Sequence, residues 1–127
     1  MAKALLVNLD LDGGSAVLRA LDTAGIKVRV ALWALLEDYA DWRLIVASRD
    51  LDKLGAWDGY RMIRKVTDGA GIDAERTFSL MIMDMQHPFI RELRHLFANA
   101  KSVEGLRLGG QVIGDRYLED AYVYRIS

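Results

Sequence analysis

The 127-residue sequence predicts a single α+β domain built on an antiparallel sheet. Short β-rich apolar runs alternate with segments of helical periodicity, which is the pattern of sheet and helices in one layered domain. Two pairs of those runs lie close enough in sequence to be hairpins. No linker, internal repeat or low-complexity tract divides the chain, and its length suits one domain of residues 1–127.

Taken in order, residues 4–9 (ALLVNL) form an apolar run too short for a helix. Asp10-Leu11-Asp12-Gly13-Gly14 closes the run with strong breakers, so it reads as a buried strand. Ser15 can then cap a helix with Val17, Leu18, Leu21 and Ala24 on one face and Gly25 just past its end. Residues 27–36 (KVRVALWALL) and 42–48 (WRLIVAS) read as a hairpin around the polar loop 37–41. A helix over 54–68 should turn Leu54, Trp57, Met62, Ile63 and Val66 inward, with Gly55 and Gly59 weakening it. Residues 77–85 form the next strand, with Met81, Met83 and Met85 on one face and Phe78, Leu80 and Ile82 on the other. Pro88 opens a helix carrying Phe89, Ile90, Leu93, Leu96 and Phe97. Gly114-Asp115 is a two-residue turn between strands 106–113 and 116–126, which places Arg107 opposite Tyr122 and Glu104 opposite Arg125.

The resulting order is β-α-β-β-α-β followed by α-β-β. Its first six elements match a ferredoxin-like βαββαβ core, to which the C-terminal helix and β-hairpin add. In that layout the first and third strands are central. Leu5, Leu6 and Val7 in one and Leu44, Ile45, Val46 and Ala47 in the other suit a strand covered on both faces.

Composition narrows the function. Apolar residues make up 52% of the chain, and counting the 11 glycines in place of the 5 tyrosines lifts this to about 57%, above the usual ~45–50%. With 17 basic and 18 acidic residues the net charge is -1, which removes the main electrostatic drive for nonspecific nucleic-acid binding. The absence of cysteine excludes disulfides, thiolate nucleophiles and Cys-ligated metal sites. No apolar run approaches the ~20 residues of a membrane span, and the N-terminal run is too short for a signal h-region, so a cytoplasmic protein is expected. Arg outnumbers Lys 12 to 5, a composition that suits a GC-rich bacterial genome.

The predicted topology places Asp10 and Asp12 at the same sheet edge as Glu37, Asp38 and Asp41. Carboxylates converging from separate segments are what Mg²⁺ or Mn²⁺ requires for phosphoryl transfer. The plainer account is that Asp is a turn residue and loop tips are acidic. Gly13-Gly14-Ser15 at a helix start could cradle a phosphate, but it lacks the spacing and Lys of a P-loop. His87 and His95 are eight residues apart on one helix, about 12 Å of rise, and so cannot share a metal as an i, i+4 pair does. Helix-start and surface roles suit them. Tyr117, Tyr122, Tyr124 and Arg125 on the last strand have the composition of an interface, whereas the central strands lack the aromatics of an RNA-reading sheet.

Three functions follow from these features. The leading expectation is a non-enzymatic interaction or assembly module without a cofactor, dimerising through Tyr117, Tyr122, Tyr124 and Arg125. The second is a divalent-metal-dependent phosphotransfer or nuclease-type enzyme using Asp10, Asp12, Glu37 and Asp38 with Mg²⁺ or Mn²⁺. The third is a small-ligand sensor with a pocket lined by Trp33, Trp57 and the methionines.

Overall fold

The computed structural model describes Leu6 and residues 8–73 and 79–127, with only the backbone described for Asn8 and Leu9. Helix α1 (Asn8–Thr23) leads into strands β1 (Val30–Leu36) and β2 (Arg43–Ala47). Helices α2 (Arg49–Leu54) and α3 (Ala56–Gly69) precede β3 (Leu80–Ile82), and α4 (Pro88–Leu96) follows it. Strands β4 (Arg107–Leu108), β5 (Gln111–Ile113) and β6 (Arg116–Ile126) complete the chain. The fold is α+β. Its sheet runs β3-β2-β1-β6-β4, with β5 also paired to β6.

This is not the predicted order. Asn8 and Leu9 belong to a helix rather than to a first strand; residues 1–5 and Val7 lie outside the described residues, so the expected strand of residues 4–9 is not seen. The sheet is mixed rather than wholly antiparallel, because β2 and β3 run parallel while every other pair is antiparallel. A parallel pair needs a crossover, which α2 and α3 supply.

Strand β1 organises both layers. All seven of its residues are buried. Val30, Leu32, Ala34 and Leu36 face a core completed by Phe89, Ile90 and Leu93 of α4, Ile113, and Leu118, Ala121 and Val123 of β6. Ala31, Trp33 and Leu35 face a second core completed by Val17, Leu18 and Leu21 of α1, Leu51 of α2 and Ile63 of α3. The sheet is thus covered on both faces, by α1–α3 on one side and α4 with the C-terminal segments on the other.

The local signals that hold are those closed by neighbours in sequence. β1 and β2 form the expected hairpin, with Trp33 opposite Leu44. The C-terminal hairpin keeps its register from Ile113↔Arg116 through Arg107↔Tyr122. Glu104 lies in a turn rather than in a strand, so its expected cross-strand partnership with Arg125 gives way to an Arg125–Asp22 ion pair. Met81, Met83 and Met85 all join the α4-side core, while Leu80 and Ile82 join the other, although strand geometry ends at Ile82. Pro88 sits in the first turn of α4 as expected, and His87 caps it by accepting a hydrogen bond on Nδ1 from Phe89 N at 3.1 Å. Leu96, expected inward, is 51% exposed.

The breaker Asp10-Leu11-Asp12-Gly13-Gly14 is helical for a tertiary reason. Tyr124 donates from its hydroxyl to the Leu11 carbonyl at 2.6 Å, and Trp33 Nε1 donates to that hydroxyl at 3.1 Å. A Cβ on Gly14 would lie 2.4 Å from Tyr124 Oη and 2.9 Å from Trp33 Nε1. The glycine weakens the isolated helix by about 1 kcal/mol relative to Ala, but only glycine admits this contact. Gly14→Ala should therefore destabilise the protein by about 1–3 kcal/mol despite its better helix propensity, measured by chemical denaturation. A neutral or stabilising substitution would show that α1 does not pack this closely.

Candidate functional site: the outer face of the helical layer

Ser48 starts α2, its buried hydroxyl accepting a hydrogen bond from Asp50 N at 3.2 Å. The Asp52 carboxylate accepts one from Met85 N at 3.0 Å, tying the helix to the segment after β3. Gly55, at φ +85°, then stops α2 and lets α3 begin in a new direction. The inner face of α3 carries the buried Gly59, Ile63 and Thr67. Tyr60 Oη accepts from Ile82 N at 2.9 Å, fastening α3 to β3.

That inner face sends Trp57 outwards. At about 100° per residue, Trp57 and Ile63 differ by about 240° around a helix, so both cannot point at the sheet. Trp57 is 78% exposed, and Leu54 and Tyr60 are each 41% exposed. The expectation that Leu54 and Trp57 are core residues is overturned. So is the expected ligand pocket lined by Trp33 and Trp57, since Trp33 is buried under α1 and Trp57 is on the outside. Asp58 and Arg61 accompany Trp57 on α3, 3.7 Å apart and both well exposed.

A groove of about 600 Å³ runs between α1 and α3. Ala16 and Ala20 of α1 and Met62, Val66 and Ile72 on the other side give it an apolar floor. Its charged lining residues are Arg19 and Lys65, both exposed, and neither is ion-paired with a described residue. No described carboxylate lines it. No local motif announces this groove, because it forms only when two helices distant in sequence are placed side by side.

The predicted metal residues fall on different elements. Asp10 and Asp12 belong to α1, and Glu37 and Asp38 to the β1–β2 loop, so among the described residues no strand carries Asp10 and Asp12 to the edge where that loop lies. Asp38 pairs with Arg116 at 2.6 Å, and the Arg116 and Arg43 guanidiniums lie over the Tyr39 ring at 6.0 and 5.2 Å. Among the described residues, no group of three or more Asp, Glu, His or Cys side chains is placed to hold a metal ion.

The predicted interface residues mostly turn inward. Tyr122 and Tyr124 pack edge to face at 5.3 Å beneath α1. The register shift in the β1–β6 ladder at Ala31/Leu32 makes Tyr124 an extra residue and so brings Arg125, opposite Ala31, to the same face. Arg125 makes a bidentate pair with Asp22, at 3.0 and 2.8 Å, and also donates to the Val28 carbonyl. Asp120 pairs with Arg107 at 2.6 Å. Tyr117 alone of the four predicted interface residues is exposed, opposite the exposed Val112.

No family model matches the chain, and no curated protein or solved structure matches it. Among the described residues no helix is long and apolar enough to cross a membrane.

The half-buried hydroxyl of Tyr124 has its pKa pushed up to about 12, chiefly by burial and partly offset by the hydrogen bond from Trp33. The neutral phenol is thus favoured by folding. Its contribution to stability is complete below its ordinary pKa of 10.0 and is lost as pH rises toward 12. Tyr124→Phe should lower stability by about 1–3 kcal/mol at neutral pH, because it leaves the Trp33 N–H without its acceptor, and should flatten the alkaline decline. Asp22 behaves oppositely: the Arg125 guanidinium lowers its pKa, so its contribution is present above about 3.8 and lost as pH falls below it. Arg125→Met should reduce the acid dependence of stability in that range. Denaturation midpoints across pH test both, and an unchanged Tyr124→Phe profile would overturn the assignment of the phenol.

Proposed function

We propose that the protein is a non-catalytic assembly module that pairs with a second copy of itself through the outer face of α2 and α3. The observation that carries this reading is Trp57 at 78% exposure, with Leu54 and Tyr60 exposed beside it in sequence. Trp57 is a large apolar group left mostly in solvent on a helix, and Trp, Tyr and Arg are the residues on which interfaces most depend.

A second copy suits this surface on charge grounds. With a net charge of -1, two copies repel each other little. A two-fold interface must also be complementary to itself. Asp58 and Arg61 lie on the same helix as Trp57, and their exposed intrachain contact at 3.7 Å is weak enough to be exchanged across such an axis.

Sedimentation velocity over a wide concentration range should show a monomer–dimer equilibrium. Trp57→Ala should raise the dissociation constant about 30-fold, the effect of losing about 2 kcal/mol at a hot spot. Asp58→Arg should also weaken pairing, and adding Arg61→Asp to it should restore part of the loss. A wild-type protein that stays monomeric at the highest concentration, or a dimer indifferent to Trp57→Ala, overturns the reading. If Tyr117→Asp breaks the dimer and Trp57→Ala does not, the interface belongs to the β5–β6 hairpin.

A further inference from the structure

We infer that the groove between α1 and α3 is a binding site for a free, single-chain amphiphile with an anionic head, such as a medium-chain carboxylate. This stands on a different observation from self-pairing: the groove's floor is apolar while its charged lining residues are all cations. Its volume of about 600 Å³ lies within the ~300–1,000 Å³ common for small-ligand sites.

The chemistry of the lining selects the ligand. Ala20, Met62, Val66 and Ile72 offer only apolar contact to whatever lies along the floor, which suits an alkyl chain and penalises a polar one. Arg19 projects from α1 and Lys65 from α3, one from each side of the groove. Neither spends its charge on an ion pair with a described residue, in a chain whose acidic residues outnumber its basic ones. The Arg19 guanidinium can take a carboxylate through two parallel N–H donors, while the Lys65 ammonium adds a point charge. No described carboxylate lines the groove to repel that head.

A free amphiphile fits better than an anionic bilayer. The cations border a concave groove, and the neighbouring hollows carry exposed carboxylates, Asp58 in the one that Lys65 also lines and Asp12 in the one that Arg19 also lines, which a negatively charged membrane surface would repel. A single alkyl chain needs only the groove itself.

The probe is sodium decanoate, kept below its micelle concentration, titrated into the full chain and followed by calorimetry and thermal unfolding. Saturable binding with a rise in Tm is expected, because a ligand held by the native state stabilises it. Decylammonium, with the same chain and the opposite charge, should bind at least tenfold more weakly, and acetate should not bind. Arg19→Glu with Lys65→Glu should weaken decanoate at least tenfold. Both positions are exposed, so the circular dichroism spectrum and unliganded Tm should remain those of the wild type. Ala20→Leu, which fills the floor without changing charge, should weaken it as well. Absence of saturable binding overturns the inference, as does equal binding by decylammonium or by the double charge-reversed variant. Binding to anionic vesicles with none to free decanoate also overturns it, in favour of a membrane-surface role. Trp57→Ala should bind decanoate as the wild type does, so a failure of self-pairing leaves this result readable.

Discussion

Strand β1 has no solvent face, and the rest of the architecture answers that constraint. A strand buried along all seven residues must be covered twice, which requires a helical layer on each side of the sheet. The division is by parity: Ala31, Trp33 and Leu35 meet α1–α3, while Val30, Leu32, Ala34 and Leu36 meet α4 and the C-terminal segments. Trp33 adds a polar condition, since its buried indole N–H needs an acceptor. Tyr124 supplies the acceptor and passes a hydrogen bond on to Leu11, so one buried donor fixes how α1 lies on the sheet. Gly14 is the residue that lets the helix lie so close.

Features determined by near neighbours were legible in the sequence. The register around Gly114-Asp115, the β1–β2 hairpin, the end of α1 at Gly25 and the proline start of α4 all depend on a few adjacent residues. The start of α1 was not legible, because the contact that makes a helix of Asp10 to Gly14 comes from Tyr124, more than a hundred residues away. Local breaker rules weigh propensities of about 1 kcal/mol, and a packed tertiary contact outweighs them. The acidic edge rested on reading Asp10 and Asp12 as the loop after a strand, whereas both belong to α1.

The candidate site was half legible. Tyr122, Tyr124 and Arg125 have the composition of an interface, yet composition does not say on which side of a strand a residue falls. Tyr122 and Tyr124, two residues apart, share one face of β6, and the pairing of Tyr122 with Trp33 sets that face under α1. Trp57 was misjudged for a geometric reason. A list of apolar residues within a helix is not a face unless their angles agree, and Ile63 and Trp57 do not agree. The groove had no signal at all in one dimension, since Ala16 and Ala20 of α1 and Met62 and Val66 of α3 become a floor only when the helices are adjacent.

Several polar side chains of the sheet and its loops are engaged within the chain, whereas Arg19 and Lys65 of the helical layer are ion-paired with no described residue, and that contrast bears on how the protein can bind. Tyr124, Arg125, Asp120 and Asp38 all have partners within the chain, so recruiting them for binding would first break existing bonds. Trp57, Arg19 and Lys65 carry no such penalty. A two-fold pair buries Trp57 of both copies, which yields about 6 kcal/mol on an area basis, against an association cost of ~4–15 kcal/mol. Trp57 alone therefore leaves little surplus, and firm pairing requires that Leu54 and Tyr60 be buried in the same step. The proposed pairing is concentration-dependent by construction, so the protein's own abundance would set the ratio of single to paired copies.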